Sequence, residues 1–138
     1  MILNLGVIDL PYVEQLGVTT GEVAQQLEDA YHVMETFADK HADFIGNSIS
    51  NDIQHGIEDI MSGAPLAGVS LNGACQKIKV MFNYFIDNME MNGNPGVPTK
   101  ASLQGKNSRF KKGKQKGVRP SFKDTGLYES SFTAWVTE

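Results

Sequence analysis

Apolar and polar residues follow one another in three rhythms along this chain. At the start, Met1, Leu3 and Leu5 alternate with Ile2, Asn4 and Gly6, a two-residue period that predicts a strand near 1–8. Pro11 and Gly17 punctuate the next stretch, so residues 1–17 form an extended arm that must pack on the domain or on a neighbour. From residue 19 the period lengthens. Val23, Leu27, Ala30, Tyr31, Met34, Phe37, Ala38, His41, Ile45, Ile49, Ile53, Ile57 and Ile60 recur mostly at steps of three or four, which is one helical face. Gln25, Glu28, Glu35, Asp39, Asp52, Glu58 and Asp59 occupy the opposite face. Thr19 or Thr20 can cap the start, with Glu22 or Glu28 and Asp29 suited to an early turn. One long helix over about 19–62 or two helices fit this pattern. The weak helix formers Gly46, Asn47 and Ser48 favour a break there.

A second helical face runs through Leu71, Ala74, Cys75, Ile78, Met81, Phe82, Phe85, Ile86 and Met89, wide and aromatic enough to belong in the core. Gly93, Pro95 and Gly96 stop it, so the helical region spans 18–92. The third rhythm returns to two at the C-terminal end, where Phe132, Ala134 and Val136 alternate with Thr133, Trp135 and Thr137, predicting a strand over 131–137. A further short strand is expected near 97–103. Just before the final strand, Asp124 or Thr125 can cap a single helical turn, Gly126 permits close approach, and Tyr128 and Phe132 stand four apart. Those residues predict a sharp corner within 121–138. Together the elements predict an α+β fold: one domain over 1–138, with long amphipathic helices packed on a small antiparallel sheet.

At 138 residues the chain can bury a substantial core without disulfides, and Cys75, its single cysteine, is expected inside as a small hydrophobe. No apolar run approaches the ~20 residues that cross a bilayer, and the N-terminal residues lack a basic leader. A soluble chain, made inside the cell and without a membrane partner, is the expectation.

Charge changes the picture more than composition does. The net charge of −4 conceals an asymmetry: residues 1–99 hold 13 acids and 3 bases, while residues 100–138 hold 9 bases and 3 acids. Residues 104–120 carry Lys106, Arg109, Lys111, Lys112, Lys114, Lys116 and Arg119 with no acid and one aromatic, Phe110. Such a stretch cannot bury enough apolar surface to order itself. It reads as a long flexible basic loop that contacts nucleic-acid phosphates, docks on an acidic protein surface such as an adjacent copy, or stays solvated.

The residue types that carry catalysis are sparse. Along a straight helix His32, His41 and His55 are spaced so that no two can share a metal ion. Cys75 has no local base, and Ser130 and Ser131 have no nearby histidine. Phosphate-loop, dinucleotide and zinc-finger spacings are missing. No enzymatic activity, cofactor or metal site is expected.

The stretch Asp124, Thr125, Gly126, Tyr128, Ser131 and Phe132 resembles a pattern of tailed-bacteriophage neck and tail-completion proteins. In that pattern Asp-Thr-Gly is followed at fixed spacing by an apolar residue, a serine and another apolar residue, leading into a strand. Residues 96–103 and 119–122 also look like segments of small phage virion proteins, and the resemblance covers about 96–138. It implies a virion structural protein at the head–tail junction, assembled in the host cytoplasm as a ring of six or twelve copies. The implied partners are other neck, portal-adaptor or tail proteins, with double-stranded DNA passing through the ring without sequence recognition. The residues fit that expectation in their own terms: the predicted strands are too few and short to stand alone, and pairing edges around a ring removes exposed edges. An acidic body lining the channel would let DNA slide, with the basic loop turned outward. Lys106 to Arg119 and the N-terminal arm are the expected interface segments, with Trp135 a further anchor. A small nucleic-acid-binding protein acting through the basic loop, or a tail terminator or tube subunit, are the competing expectations.

Overall fold

The computed structural model describes residues 1–13, 17–64, 68–104, 118–123 and 126–138. These form the α+β arrangement expected. Six helices and two strands come in the order β1 (Ile2–Val7), α1 (Thr20–Tyr31), α2 (Val33–Lys40), α3 (Ala42–Met61), α4 (Asn72–Asp87), α5 (Lys100–Gln104), α6 (Leu127–Ser131) and β2 (Phe132–Thr137).

The two strands lie at opposite ends of the sequence and pair antiparallel, from Ile2 opposite Thr137 to Val7 opposite Phe132. The N-terminal arm therefore packs on its own domain. Beyond β1 it stays fastened to the start of α1. Buried Thr20 donates its hydroxyl to the Ile8 carbonyl (2.7 Å) and accepts the Leu10 N–H (2.8 Å). Asp9 accepts the Gly21 N–H at 2.9 Å. Hydrogen bonding from the Thr19 side chain, then from the Gly21 backbone, holds the Asp9 carboxyl below the usual carboxylate range. Thr19 caps α1 reciprocally with Glu22, the signal visible in the sequence.

The helical region does not break at Gly46. It breaks twice elsewhere, at His32 and at His41. His32 adopts the left-handed conformation (φ 52°, ψ 51°), and the Glu28 carboxylate accepts the N–H groups of Met34 (2.8 Å) and Glu35 (3.0 Å) at the new helix start. One side chain thus satisfies two of the four orphan donors of α2. Gly46 stays helical because its neighbours hold that turn: Ile45 and Ser48 are buried, and Ser48 donates its hydroxyl to the Phe44 carbonyl. The short breaks let α1 and α2 bend around a core that one straight rod could touch only along a line.

The strand expected over 97–103 is instead the short helix α5. Thr99, following Pro98, accepts the Ser102 N–H through its hydroxyl (3.2 Å) and starts a helical turn. Gly126, not Asp124 or Thr125, holds the position preceding α6, at φ 78°, where a side chain is costly. Asp124 and Thr125 themselves lie outside the described residues.

The core is aromatic at its centre. Phe37, Phe82, Phe85 and Phe132 are fully buried. Phe82 stacks on Phe132 with centroids 3.9 Å apart and meets Phe37 edge-on at 5.2 Å and Tyr128 at 6.0 Å. Helix α4, the corner and the final strand therefore share one contact. Leu3, Leu5 and Val7 close the core from β1. Cys75 is only half-buried at its edge, less enclosed than the sequence predicts.

Candidate assembly surface

Three surface features stand out once the fold is laid down: the ends of the basic segment, the outer side of the sheet, and the far end of α3. Lys106, Arg109, Phe110, Lys111, Lys112, Lys114 and Lys116 lie outside the described residues. The residues flanking them are well fixed. The Arg119 N–H donates to the Ser102 carbonyl (3.1 Å), and the Ser102 hydroxyl donates to the Arg119 carbonyl. Arg119, expected as an interface residue, also donates its guanidinium to the carbonyls of Pro120 (3.3 Å) and Lys123 (2.8 Å). Its described role is to fasten the base of the segment. Lys123 contacts Asp87 at the end of α4 and lies 3.4 Å from the buried Glu129. Burial, then the neighbouring Asp87 charge, pushes the Glu129 carboxyl up; the bond to Asp87 raises Lys123.

Of the residues expected to form the corner, Gly126, Tyr128, Ser131 and Phe132 are described. Tyr128, Ser131 and Phe132 are buried, and Ser131 donates its hydroxyl to the Tyr128 carbonyl at 2.9 Å. Burial raises the Tyr128 phenol.

Alternation along β1 and β2 sends Leu3, Leu5, Val7, Phe132 and Ala134 inward. Ile2, Asn4, Gly6, Thr133, Trp135 and Thr137 face out. Trp135 is 44% exposed and lies across Gly6, where an added Cβ would meet the indole at 3.0 Å. Among the described residues the sheet has only these two strands, so each keeps one unpaired edge. Beside it, Met1, Ile8 and Val13 are exposed as well.

The third feature is one that periodicity hid. Asp52 caps α4 by accepting the Ala74 N–H at 2.7 Å, which marks where α4 begins beside α3. Helix α3 continues nine residues further, to Met61, an overhang of about 13 Å at 1.5 Å per residue. The apolar stripe read from the sequence continues onto this overhang and emerges into solvent: Ile57 is 49% and Ile60 37% exposed, and Met61 beyond them 82%. The next face of the overhang, with the returning chain, forms a groove of about 500 Å³ lined by Asp52, His55, Gly56, Asp59, Ile60, Ala64, Gly68, Ser70 and Gly73. Gly56 allows its floor, since a Cβ there would strike Val69 at 2.9 Å. The signal for this feature was present as Ile57, Ile60 and Met61 at helical spacing, but spacing alone cannot tell a covered stripe from a bare one.

Among the described residues, chemistry-bearing side chains do not converge on an enclosed site. Glu28, His32 and Glu35 bring one potential ligand atom each within 4.8 Å of one another. Both Glu28 oxygens already accept backbone N–H groups, and His32 pairs with Glu35 at 2.8 Å, so the cluster is a helix joint. His41 faces Glu90 at 3.2 Å and packs on Phe37 and Phe85. Burial, and after it the Asp52 charge, pushes the Cys75 thiol up, the wrong direction for a nucleophile. No helix among the described residues is long and apolar enough to cross a membrane. Comparison with protein families, with curated proteins and with solved structures gives no match to this chain.

Proposed function

We propose that this protein is a structural subunit of a tailed-bacteriophage virion, assembling as a ring of six or twelve copies at the head–tail junction. The observation that carries the reading is the two-stranded sheet with both outer edges unpaired among the described residues and Trp135 half-exposed on its outer face. Two short strands make a poor independent sheet, and a ring of copies supplies the missing neighbours. The corner supports it too, because Tyr128 and Phe132, the apolar positions of the phage-like pattern, are the ones buried in the core. In this reading the protein performs no chemistry. Its work is to match subunit surfaces and close sheet edges around a channel. The acid-rich residues 1–99 face passing DNA without holding it, and the segment 104–120 turns toward neighbouring proteins.

The test is to trace this chain in electron-microscopic density of purified particles. The expected result is a closed ring between head and tail with β1 or β2 extended by a strand from a neighbour. Particles without the chain, or copies bearing no contact through the sheet edges, would rule the reading out. The seven bases of 104–120 also suit a nucleic-acid binder. That reading predicts DNA retention at low salt that falls steeply as salt rises and disappears when residues 106–117 are deleted.

A further inference from the structure

We infer that the groove on the α3 overhang is the docking site for the lysine-rich segment 105–117 of the next copy in the ring. The inference rests on the ring reading and names the contact that builds it.

Charge complementarity is the first argument. The groove presents Asp52 and Asp59 beside His55, with no lysine or arginine among the described residues of its lining. The segment carries Lys106, Arg109, Lys111, Lys112, Lys114 and Lys116 and no acid. Shape and polarity are the second. A lysine side chain can lay its stem along an apolar wall while its head stays at the wet rim beside a carboxylate. Gly56, Ile60 and Ala64 supply the wall and Asp59 the carboxylate, while Ile57 and Met61 extend the apolar surface outside the groove.

Position is the third argument, and it selects a neighbouring copy as the donor. The base of the segment is fastened at Ser102 and Arg119. Arg119 is bonded to Lys123, and Lys123 contacts Asp87, the last residue of α4. The groove lies at the first turn of α4, beside Gly73. Helix α4, about 22 Å long, runs between its Asp87 end, which the base contacts through Lys123, and its first turn at the groove. Thirteen residues that leave and return at one base reach about 22 Å only when fully stretched. The segment of the same copy would have to be drawn straight; that of a copy stacked head to tail would not. Donor and acceptor surfaces at opposite ends of one subunit make a heterologous contact, the kind that closes into rings. Exposed ion pairs are individually weak and screened by salt, so the contact needs several of them and weakens as salt rises.

The experiment uses the full chain and two charge reversals: Asp59→Lys in the groove, and Lys111→Glu with Lys112→Glu in the segment. Asp52 is left intact because it caps α4. Sedimentation velocity at low salt should show wild-type association weakened about tenfold by either reversal. Mixing the two variants should restore it, since each then offers the complement of the other. In parallel, a synthetic peptide of residues 104–119 titrated into the wild-type chain should shift the backbone resonances of residues 52–60 and 68–73. Asp59→Lys should abolish those shifts. A peptide that leaves these residues unmoved, or a mixture that associates no better than its parts, overturns the docking assignment. If the peptide binds as expected but the wild type stays monomeric at every concentration, it is the ring reading that fails, and the groove takes basic segments of another protein.

Discussion

Glu129 shows how a single residue can carry information that its sequence neighbours hide. Flanked by Tyr128 and Ser130, it looks like an exposed acid on a short turn. In the fold it is buried, 3.4 Å from Lys123 and next to Asp87, which is distant in sequence. Its carboxyl is raised, chiefly by burial, above the ordinary value of 4.5. The folded state then holds more protons than the unfolded state between the ordinary and the raised value, so stability falls as pH rises through that window. Glu129→Gln removes the ionisation. Its stability relative to the wild type should improve from about pH 4 to pH 7, as read by urea denaturation at both values. A constant or reversed difference would show that Lys123 fully compensates the buried charge. Phe82 is the contrary case. Its place in the apolar stripe of α4 announces its burial, and it sits at the centre of the aromatic cluster.

At the scale of elements, helix existence was legible and helix breaks were not. Residue-by-residue propensity points to Gly46, yet the chain turns at His32, where a non-glycine residue takes a left-handed conformation. The Glu28 carboxylate reaching across to α2, and the need to wrap a rounded core, decide the matter, and the propensity of single residues registers neither. The left-handed conformation costs a residue with a Cβ roughly 1–2 kcal/mol. His32→Gly should therefore be more stable than His32→Ala by about 1 kcal/mol in chemical denaturation, since both lose the exposed pairing with Glu35 and only glycine relieves the backbone. Equal stabilities would place the helix joint elsewhere. The region 97–103 illustrates the same limit from the other side. Its β-compatible residues predict a strand, but Thr99 and Ser102 make a cap, and the pairing of Ser102 with Arg119 leaves no ladder to join.

At the scale of the whole molecule, the α+β class and the two strands were legible from periods of two and of three to four. The pairing of those strands with each other was not, because no local signal connects Ile2 with Thr137. The candidate surface was half legible. Trp135 and the basic segment stand out in the sequence, while the bare end of α3 appears only when the length of α4 is known. A chain ending at Ser131 loses Phe132 and Ala134 from the core and the only partner of β1 among the described residues. Its circular dichroism should show no near-ultraviolet tertiary signal and no cooperative thermal transition. A sharp transition would mean that the helices alone hold the fold.

The pairing of the two ends also sets a schedule for biosynthesis. Ile2 is joined to the growing chain long before Thr137 is added. At about 5–20 residues per second, some 135 further residues take roughly 7 to 27 s. Throughout that wait the nascent strand, with Leu3, Leu5 and Val7, has no sheet to join and no Phe132 to cover. The core therefore closes only once Phe132 and the rest of β2 have been made, and until then the apolar side of β1 stays bare.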